Sequence, residues 1–411
     1  MKGNNLHTPS GVKDYLYNDC KLKNKIEESI LNVFNGYGYK QISSPTFEFN
    51  EVFANTGGIK ESRTYRLLDR DGALLVLRPD MTPAIARIAA TAFNKEMSIL
   101  KFSYVENMFR ANENYQGKLR EFTQAGIELI GANSIEADIE VILAAINSIL
   151  VVGITDFVID IGHTMFLKGV IEEANISDEL ATDIQKSLAD KNYVAVSELA
   201  ENISNDNIKY IFKELPFLIG EINIINKLKN LVTNKDALNA LDYLYQLYNI
   251  LDSLGYSKYI TFDFGVMGSM DYYTGLIFRG YARGAGLSIV DGGRYDNMVE
   301  RFGAKKAAVG FSIKINELMS LFKTDEIEGT DLLVVCSKPN KIDAYKLAHD
   351  LRLKNYSVEM SFLGDDLDTN LAYAKDKGID YIINYTDEKI MKINVITGKS
   401  EEYSELLDKE V

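Results

Sequence analysis

The stretch from Leu77 to Gly131 constrains this chain more than any other. It opens on Leu77-Arg78-Pro79-Asp80-Met81-Thr82-Pro83, carries Met108-Phe109-Arg110 at its middle and closes on Phe122-Thr123-Gln124-Ala125-Gly126-Ile127-Glu128-Leu129. Successive residues of a strand face opposite ways. In the closing piece Phe122, Gln124, Gly126 and Glu128 therefore share one face. Thr123, Ala125, Ile127 and Leu129 share the other, which suits a core. An amide and a carboxylate on one face, with a glycine leaving room between them, can be a half-solvated sheet face with a salt bridge, or the wall of a pocket. A buried carboxylate is expensive without a partner, so Glu128 is expected to meet a cationic group. The connection from Ala111 to Arg120 is rich in Asn, Gln and Gly. It predicts a hairpin that brings Arg110 near Gln124.

The opening piece reads strand, then helix. Ala73 to Leu77 is an apolar run. Thr82-Pro83 fits an N-cap followed by proline at the first helical position, and Ile85, Ile88 and Ala89 continue at helical spacing. Thr82 is then a cap or a ligand group. Asp80, just ahead of the helix, either complements the helix dipole or takes a ligand ammonium. The three pieces together fit a pocket for a small zwitterion.

Length sets the scale: 411 residues predict two to three domains. The net charge of −14 argues against a dedicated nucleic-acid binder, which usually carries a basic face. Two distant cysteines, Cys20 and Cys336, form no framework, and three histidines, His7, His163 and His349, show no metal-ligand spacing. No metal and no cofactor are expected. The start lacks an apolar signal core and no run is long enough to cross a membrane, so a cytoplasmic protein without membrane contact is expected.

A helix is predicted from Asn18 to Phe34, with Ile26, Ile30, Val33 and Phe34 as its stripe, stopped by Asn35-Gly36-Tyr37-Gly38. Tyr39 to Phe47 reads as a strand ending around Pro45, and Thr56 to Arg70 as a mobile loop. A second helix is expected from Ile135 to Val152. From about 166 to 254 period-3.6 patterns dominate, which predicts a helical insertion. Gly286 to Val290 reads as a strand followed by a turn at Gly292-Gly293-Arg294-Tyr295-Asp296. After a boundary near 324–330, strands and helices alternate, which predicts a small α/β domain. The expected organisation is one domain over 1–325, carrying the insertion, and a second over 331–411.

Several stretches together resemble the class II histidyl-tRNA synthetase family and its non-catalytic relative, the regulatory subunit of ATP phosphoribosyltransferase. They are Ser44-Pro45, Leu77 to Pro83, Phe109-Arg110, Gln124 to Glu128, Met270-Asp271-Tyr272-Tyr273-Thr274-Gly275 and Gly292 to Asp296. The resemblance spans residues 8 to about 322. It implies an α+β fold, a mainly antiparallel sheet flanked by helices, with the small C-terminal domain resembling an anticodon-binding domain. It also implies a histidine ligand. Asp80, Thr82 and Gln124 would surround the α-amino group. Arg110, helped by Gln124, would face the carboxylate. Glu128, Tyr273 and Tyr295 would face the imidazole. Such donors and acceptors match the ligand's charges. The residue-level reading of Tyr272 is core packing, and of Arg294 a structural ion pair.

Departures from the synthetase pattern separate the two relatives. The arginine position of the third motif holds Glu317. A glutamate expected two residues after the second-motif arginine is Asn112, and an arginine expected three residues before Asp271 is Gly268. Phe122 keeps the adenine-stacking position. Reversing a charge against ATP phosphate forfeits an attraction worth about 4 kcal/mol at 4 Å and intermediate dielectric. The resemblance therefore implies a regulatory subunit rather than an enzyme, needed by the short-form ATP phosphoribosyltransferase catalytic subunit in histidine biosynthesis and conveying feedback inhibition by histidine. A homodimer or higher, built through the first motif, is expected within a hetero-oligomer. The acidic balance argues against a tRNA role. An active histidyl-tRNA synthetase is the alternative.

Overall fold

The computed structural model describes residues 6–54, 56, 58–94, 99–111, 118–265, 272–322, 330–336, 341–386 and 388–403. The chain forms two compact units, 1–323 and 324–411.

The first unit starts with helix α1 (Tyr17–Gly36), whose stripe Ile26, Ile30 and Phe34 is fully buried. Short strands follow: β1 (Lys40–Gln41), β2 (Phe47–Phe49), then helix α2 (Asn50–Phe53), β3 (Arg66–Leu68) and β4 (Leu74–Leu77). Helix α3 (Thr82–Thr91) leads to the long hairpin β5 (Leu100–Phe109) and β6 (Glu121–Ile130). Helix α4 (Ile135–Val151) and β7 (Phe157–His163) come next. The helical segment holds α5 (Thr164–Glu173), α6 (Asp178–Ala189), α7 (Tyr193–Ala200), α8 (Asp206–Glu214), the short strand β8 (Ile219–Gly220), α9 (Asn223–Lys229) and α10 (Lys235–Ser253). β9 (Ile260–Asp263), β10 (Leu276–Ala282), β11 (Val290–Arg294), β12 (Ala308–Lys314) and α11 (Ile315–Met319) complete it.

Nine of these strands form one sheet in the order β1-β5-β6-β12-β11-β10-β7-β9-β8, antiparallel except at β1–β5 and β7–β9. Its helix-covered face carries the main core. Ala125, Ile127 and Leu129 of β6 join Ile142 and Ile146 of α4 and Phe34 of α1 there. The other face is polar along one row: register aligns Gly126, Ser312, Asp291, Arg279 and Asp160 across five strands. A separate three-stranded sheet, β2-β4-β3, packs against α2, and Glu48 of β2 pairs with Arg87 of α3 at 2.5 Å.

Three readings of this unit need correction. Tyr39 to Phe47 does not form one strand: β1 covers only Lys40–Gln41 and pairs with β5, and Phe47 opens β2, which pairs with β4 in a different sheet. The stretch 56–70 contains a 3-10 turn at Glu61–Arg63 and strand β3, paired to β4. Gly292-Gly293-Arg294 is no turn but the body of β11. A Cβ at Gly292 would meet the Phe311 Cβ at 2.7 Å, and one at Gly293 the Tyr273 ring at 2.7 Å. The glycines permit close approach within the sheet rather than chain reversal.

The second unit has β13 (Leu332–Cys336), α12 (Ile342–Leu353), β14 (Val358–Met360), α13 (Leu367–Lys377), β15 (Tyr381–Tyr385), β16 (Ile390–Asn394) and β17 (Ser400–Glu402). β14, β13 and β15 are parallel, and β16 and β17 extend the sheet antiparallel. β13 is buried on both faces, as its uninterrupted apolar run requires.

Candidate functional site

The polar face of the large sheet holds a cleft of two chambers. The inner one, about 30 Å³, is lined by Asp80, Thr82, Arg110, Gln124, Glu128, Tyr273 and Tyr295, all seven residues anticipated from sequence. Tyr272, Asp291 and Ser312 line it as well.

The turn ahead of α3 is held by Arg78, which is buried. Its guanidinium donates to the Ser44 carbonyl at 2.6 Å and the Asn107 carbonyl at 2.9 Å and pairs with Glu106. That fixes Asp80. Its Oδ1 accepts from the Met81 N–H at 2.8 Å, while Oδ2 is buried with no partner. Burial raises the Asp80 pKa, against the pull of Arg110 and the Met81 and Thr82 amides. Asp80, not Thr82, therefore serves the helix start. Thr82 is the first helical residue, makes no cap bond, and donates its hydroxyl to Glu128 Oε1 at 2.7 Å. The capping reading of Thr82 is thereby corrected.

Glu128 comes from β6. Its second oxygen accepts from the Tyr295 hydroxyl. Among the described residues no cation lies against it; hydroxyls satisfy it instead. Burial pushes its pKa up from 4.5 to about 8, although both hydrogen bonds work the other way. The neutral acid, rather than a salt bridge, resolves the cost of burial near pH 7. Register sets Glu128 opposite Gly310, where a Cβ would overlap the carboxylate. The room left by Gly126 is taken by Tyr104, whose ring carbon Cζ would lie 2.6 Å from a Cβ there.

Arg110 ends the first arm of the hairpin. Its Nε donates to the Pro79 carbonyl at 2.8 Å, its guanidinium lies 5.1 Å from the Phe122 ring centroid, and Nη2 is buried without a partner. Gln124 donates to Ser312 Oγ at 3.3 Å and its carbonyl oxygen is likewise orphaned. The rings of Tyr272 and Tyr273 are 4.7 Å apart, and Tyr272 meets Tyr295 edge-on at 5.8 Å. Tyr272 thus packs against its neighbours and also lines the chamber. Arg294 makes the ion pairs expected of it, with Asp138 at 2.5 Å and Asp296 at 3.1 Å.

Sequence reading missed Asp291, Ser312 and Tyr104. Alternation along β11 would have found Asp291, since Asp291, Gly293 and Tyr295 share a face once 290–294 is read as a strand. Asn112, Gly268 and Asp271 lie outside the described residues.

The outer chamber, about 310 Å³, shares Arg110, Tyr273 and Asp291 with the inner one. Lys191 from the helical segment, Lys118, Phe122 and Glu317 also line it. Lys314 is committed to Asp291 at 2.6 Å and to Ser288 Oγ at 2.6 Å. Among the described residues no cluster of His, Cys, Asp or Glu has metal-binding geometry, and no helix is long and apolar enough to cross a membrane.

The histidyl-tRNA synthetase family model matches residues 11–318. The ATP phosphoribosyltransferase regulatory subunit of Clostridium novyi is 38% identical over 406 residues, 96% of each chain. That of Acetivibrio thermocellus is 38% identical over 395 residues, 95% of this chain and 94% of its own. Among solved structures, an ATP phosphoribosyltransferase regulatory subunit/histidyl-tRNA synthetase from Bacillus halodurans superposes with a TM-score of 0.86 at 30% identity, covering 94% of this chain and 100% of that one. Histidyl-tRNA synthetase from Nostoc sp. gives 0.81 at 23% identity, covering 97% and 96%, a likeness of fold. The chain belongs to the family of ATP phosphoribosyltransferase regulatory subunits, built on the class II histidyl-tRNA synthetase fold.

Proposed function

We propose that the inner chamber and its mouth bind histidine, and that this chain conveys feedback inhibition to a short-form ATP phosphoribosyltransferase catalytic subunit that needs it for activity. One observation carries the reading. Three buried polar atoms converge on the cleft without partners: Asp80 Oδ2, Arg110 Nη2 and Gln124 Oε1. Orphaned polar groups are costly and demand an explanation. Two acceptors and a cationic donor are the complement of an α-ammonium and an α-carboxylate. Glu128, Tyr273 and Tyr295 supply the far end, where an imidazole would exchange with the hydroxyls now on Glu128. A chamber of about 30 Å³ accommodates no more than a water or two as it stands. The ring therefore enters by displacing those contacts, with the carboxylate at Arg110, the boundary of the two chambers. Because Glu128 is protonated near pH 7, it can pass a proton to the imidazole and leave a carboxylate–imidazolium pair without uptake from solvent.

A homodimer through the first motif, helix α1 and the strand up to Pro45, is part of this reading; Phe47 and Phe49, which follow that motif on β2, are 55% and 58% exposed and leave apolar surface beside it. Binding of histidine must favour one arrangement of the assembly, and the coupling is reciprocal.

Reconstitution tests the function. A short-form catalytic subunit from the same source should form phosphoribosyl-ATP only with this chain present, and histidine should suppress it. Activity indifferent to both would remove the reading. The synthetase alternative draws on the cations of the outer chamber. Glu317 in that chamber opposes it, and histidine-dependent ATP–pyrophosphate exchange is expected to be absent. A finer check separates the ends of the ligand. Arg110→Gln should weaken histidine about tenfold to a hundredfold, the range of a charged hydrogen bond, and weaken histidinol, which lacks the carboxylate, far less. Calorimetric titration of both ligands measures the ratio.

A further inference from the structure

Tyr295 and Tyr273 approach the pocket from just past the end of β11 and from the loop before β10, and one residue holds both segments. Arg294 precedes Tyr295, so its side chain leaves the opposite face of the strand, toward the helices. Its carbonyl accepts from the Thr274 N–H at 2.8 Å, just after Tyr273. Its stem packs on Gly275, where a Cβ would sit 3.3 Å from its Cδ. The Asp296 N–H, on the far side of Tyr295, donates to Thr274 Oγ1 at 3.0 Å. Moving Arg294 moves both tyrosines.

Arg294 is itself held at its guanidinium. Nη2 and Nε donate to the two oxygens of Asp138 at 2.5 and 3.2 Å, and Nη1 to Asp296 and the Ala132 carbonyl, both at 3.1 Å. Asp138, on α4, is 1% exposed. Its Oδ2 takes one further donor, the hydroxyl of Tyr243 on α10, the last helix of the insertion. On the other side of Tyr243 lies the His163 ring, 5.4 Å away. Burial and the nearby Arg294 hold that imidazole neutral, with a pKa pushed down to about 4. Asp138 is thus left to Arg294 and Tyr243. A phenylalanine would fill the same volume at 243. What the hydroxyl adds is a charge-assisted bond that fixes the rotation of the carboxylate, and through it the bidentate arginine.

We infer that Tyr243 is a positioning residue: acting through Asp138 and Arg294, it sets the placement of Tyr273 and Tyr295 and thereby makes the histidine affinity of the pocket depend on helix α10. This rests on the histidine reading of the site. It makes the insertion a lever, since a partner that displaces α10 changes histidine affinity, and histidine in turn biases α10.

The test uses the full-length chain and Tyr243→Phe, which preserves packing. With 3-fluorotyrosine incorporated, the fluorine resonances of Tyr273 and Tyr295, assigned from their own Tyr→Phe variants, should shift in the ligand-free variant. Histidine affinity by calorimetry should fall about tenfold, the scale of one charge-assisted hydrogen bond. Combined with Tyr295→Phe, the loss should be smaller than the product of the two single losses, since both act at one site. A purely structural Tyr243 would lower the unfolding temperature and leave affinity and resonances where they were. That result overturns the inference, as does a shift in resonances with unchanged affinity in a wild-type chain that binds histidine. If the wild type binds no histidine while the resonances still move, the positioning network stands and the ligand reading fails.

Discussion

Glu128→Gln is expected to weaken histidine binding by at least two orders of magnitude and, at the same time, to stabilise the ligand-free chain at pH 8. In the unfolded chain this carboxyl ionises near 4.5; in the fold, buried, near 8. Between those values the native state keeps a proton that the unfolded chain has released. Stability therefore falls as pH rises through the window and is unaffected below it. At about 1.4 kcal/mol for each pH unit, the wild-type chain loses on the order of 4 kcal/mol between pH 5 and 8. Glutamine has no such titration. It leaves one amide N–H₂ among hydroxyl donors, which gives back about 1–2 kcal/mol. Urea unfolding at pH 5.5, 7 and 8 should show a sloping profile for the wild type and a flatter one for the variant, crossing above neutrality. Histidine binding should weaken by two orders of magnitude or more, because the amide can neither give a proton to the imidazole nor carry charge against it. A wild-type chain with no loss of stability between pH 5 and 8 would contradict the burial of a neutral acid.

Gly310→Ala is the second large effect. Gly310 sits on β12 directly opposite Glu128. An added Cβ would lie 2.7 Å from the Glu128 carboxyl carbon and overlap both a carboxylate oxygen and the Ile127 carbonyl. One of these is main chain in the centre of the sheet and has nowhere to go. Overpacking of this kind costs about 1–3 kcal/mol, more where the backbone must shift. It also drives the carboxylate into the space an imidazole would use. Histidine affinity should drop below detection by calorimetry while the sedimentation behaviour stays that of the wild type. Gly286, with nothing within 4 Å of its added Cβ, provides the neutral alanine control.

The two substitutions bear on residues of different legibility. Glu128 and Gln124 could be placed on one face from strand alternation alone, and both line the inner chamber. Ala125, Ile127 and Leu129 on the other face enter the main core, as that alternation requires. Helix α1 was equally readable, because an apolar stripe at helical spacing needs no knowledge of what covers it. The importance of Gly310 was not readable. Nothing near it in sequence says that a carboxylate lies across the strand. Gly292 and Gly293 were misread for the same reason. Glycine pairs belong to turns by local preference, and only the rings of Phe278, Tyr273 and the neighbouring strand explain them within β11. Thr82 looked like a cap because its neighbours fit the pattern, but a carboxylate 46 residues away claims its hydroxyl.

Sequence by itself determined much of the chamber's chemical inventory, Asp80, Glu128, Gln124, Arg110 and the tyrosines Tyr273 and Tyr295, with the strand periodicity that puts some of them together, but not Asp291 or Ser312. It also determined the helical character of the insertion, since local periodicity persists whatever the chain packs against. Tertiary structure decided which of these groups are satisfied and which are left open. Tyr243 and Arg294 lie 105 and 156 residues from Asp138 in chain order, and only sheet register and helix packing bring the three into one buried network. The proton on Glu128 is likewise a tertiary outcome. Its pKa depends on the water removed by the surrounding strands and helix, a quantity that no single stretch of sequence carries.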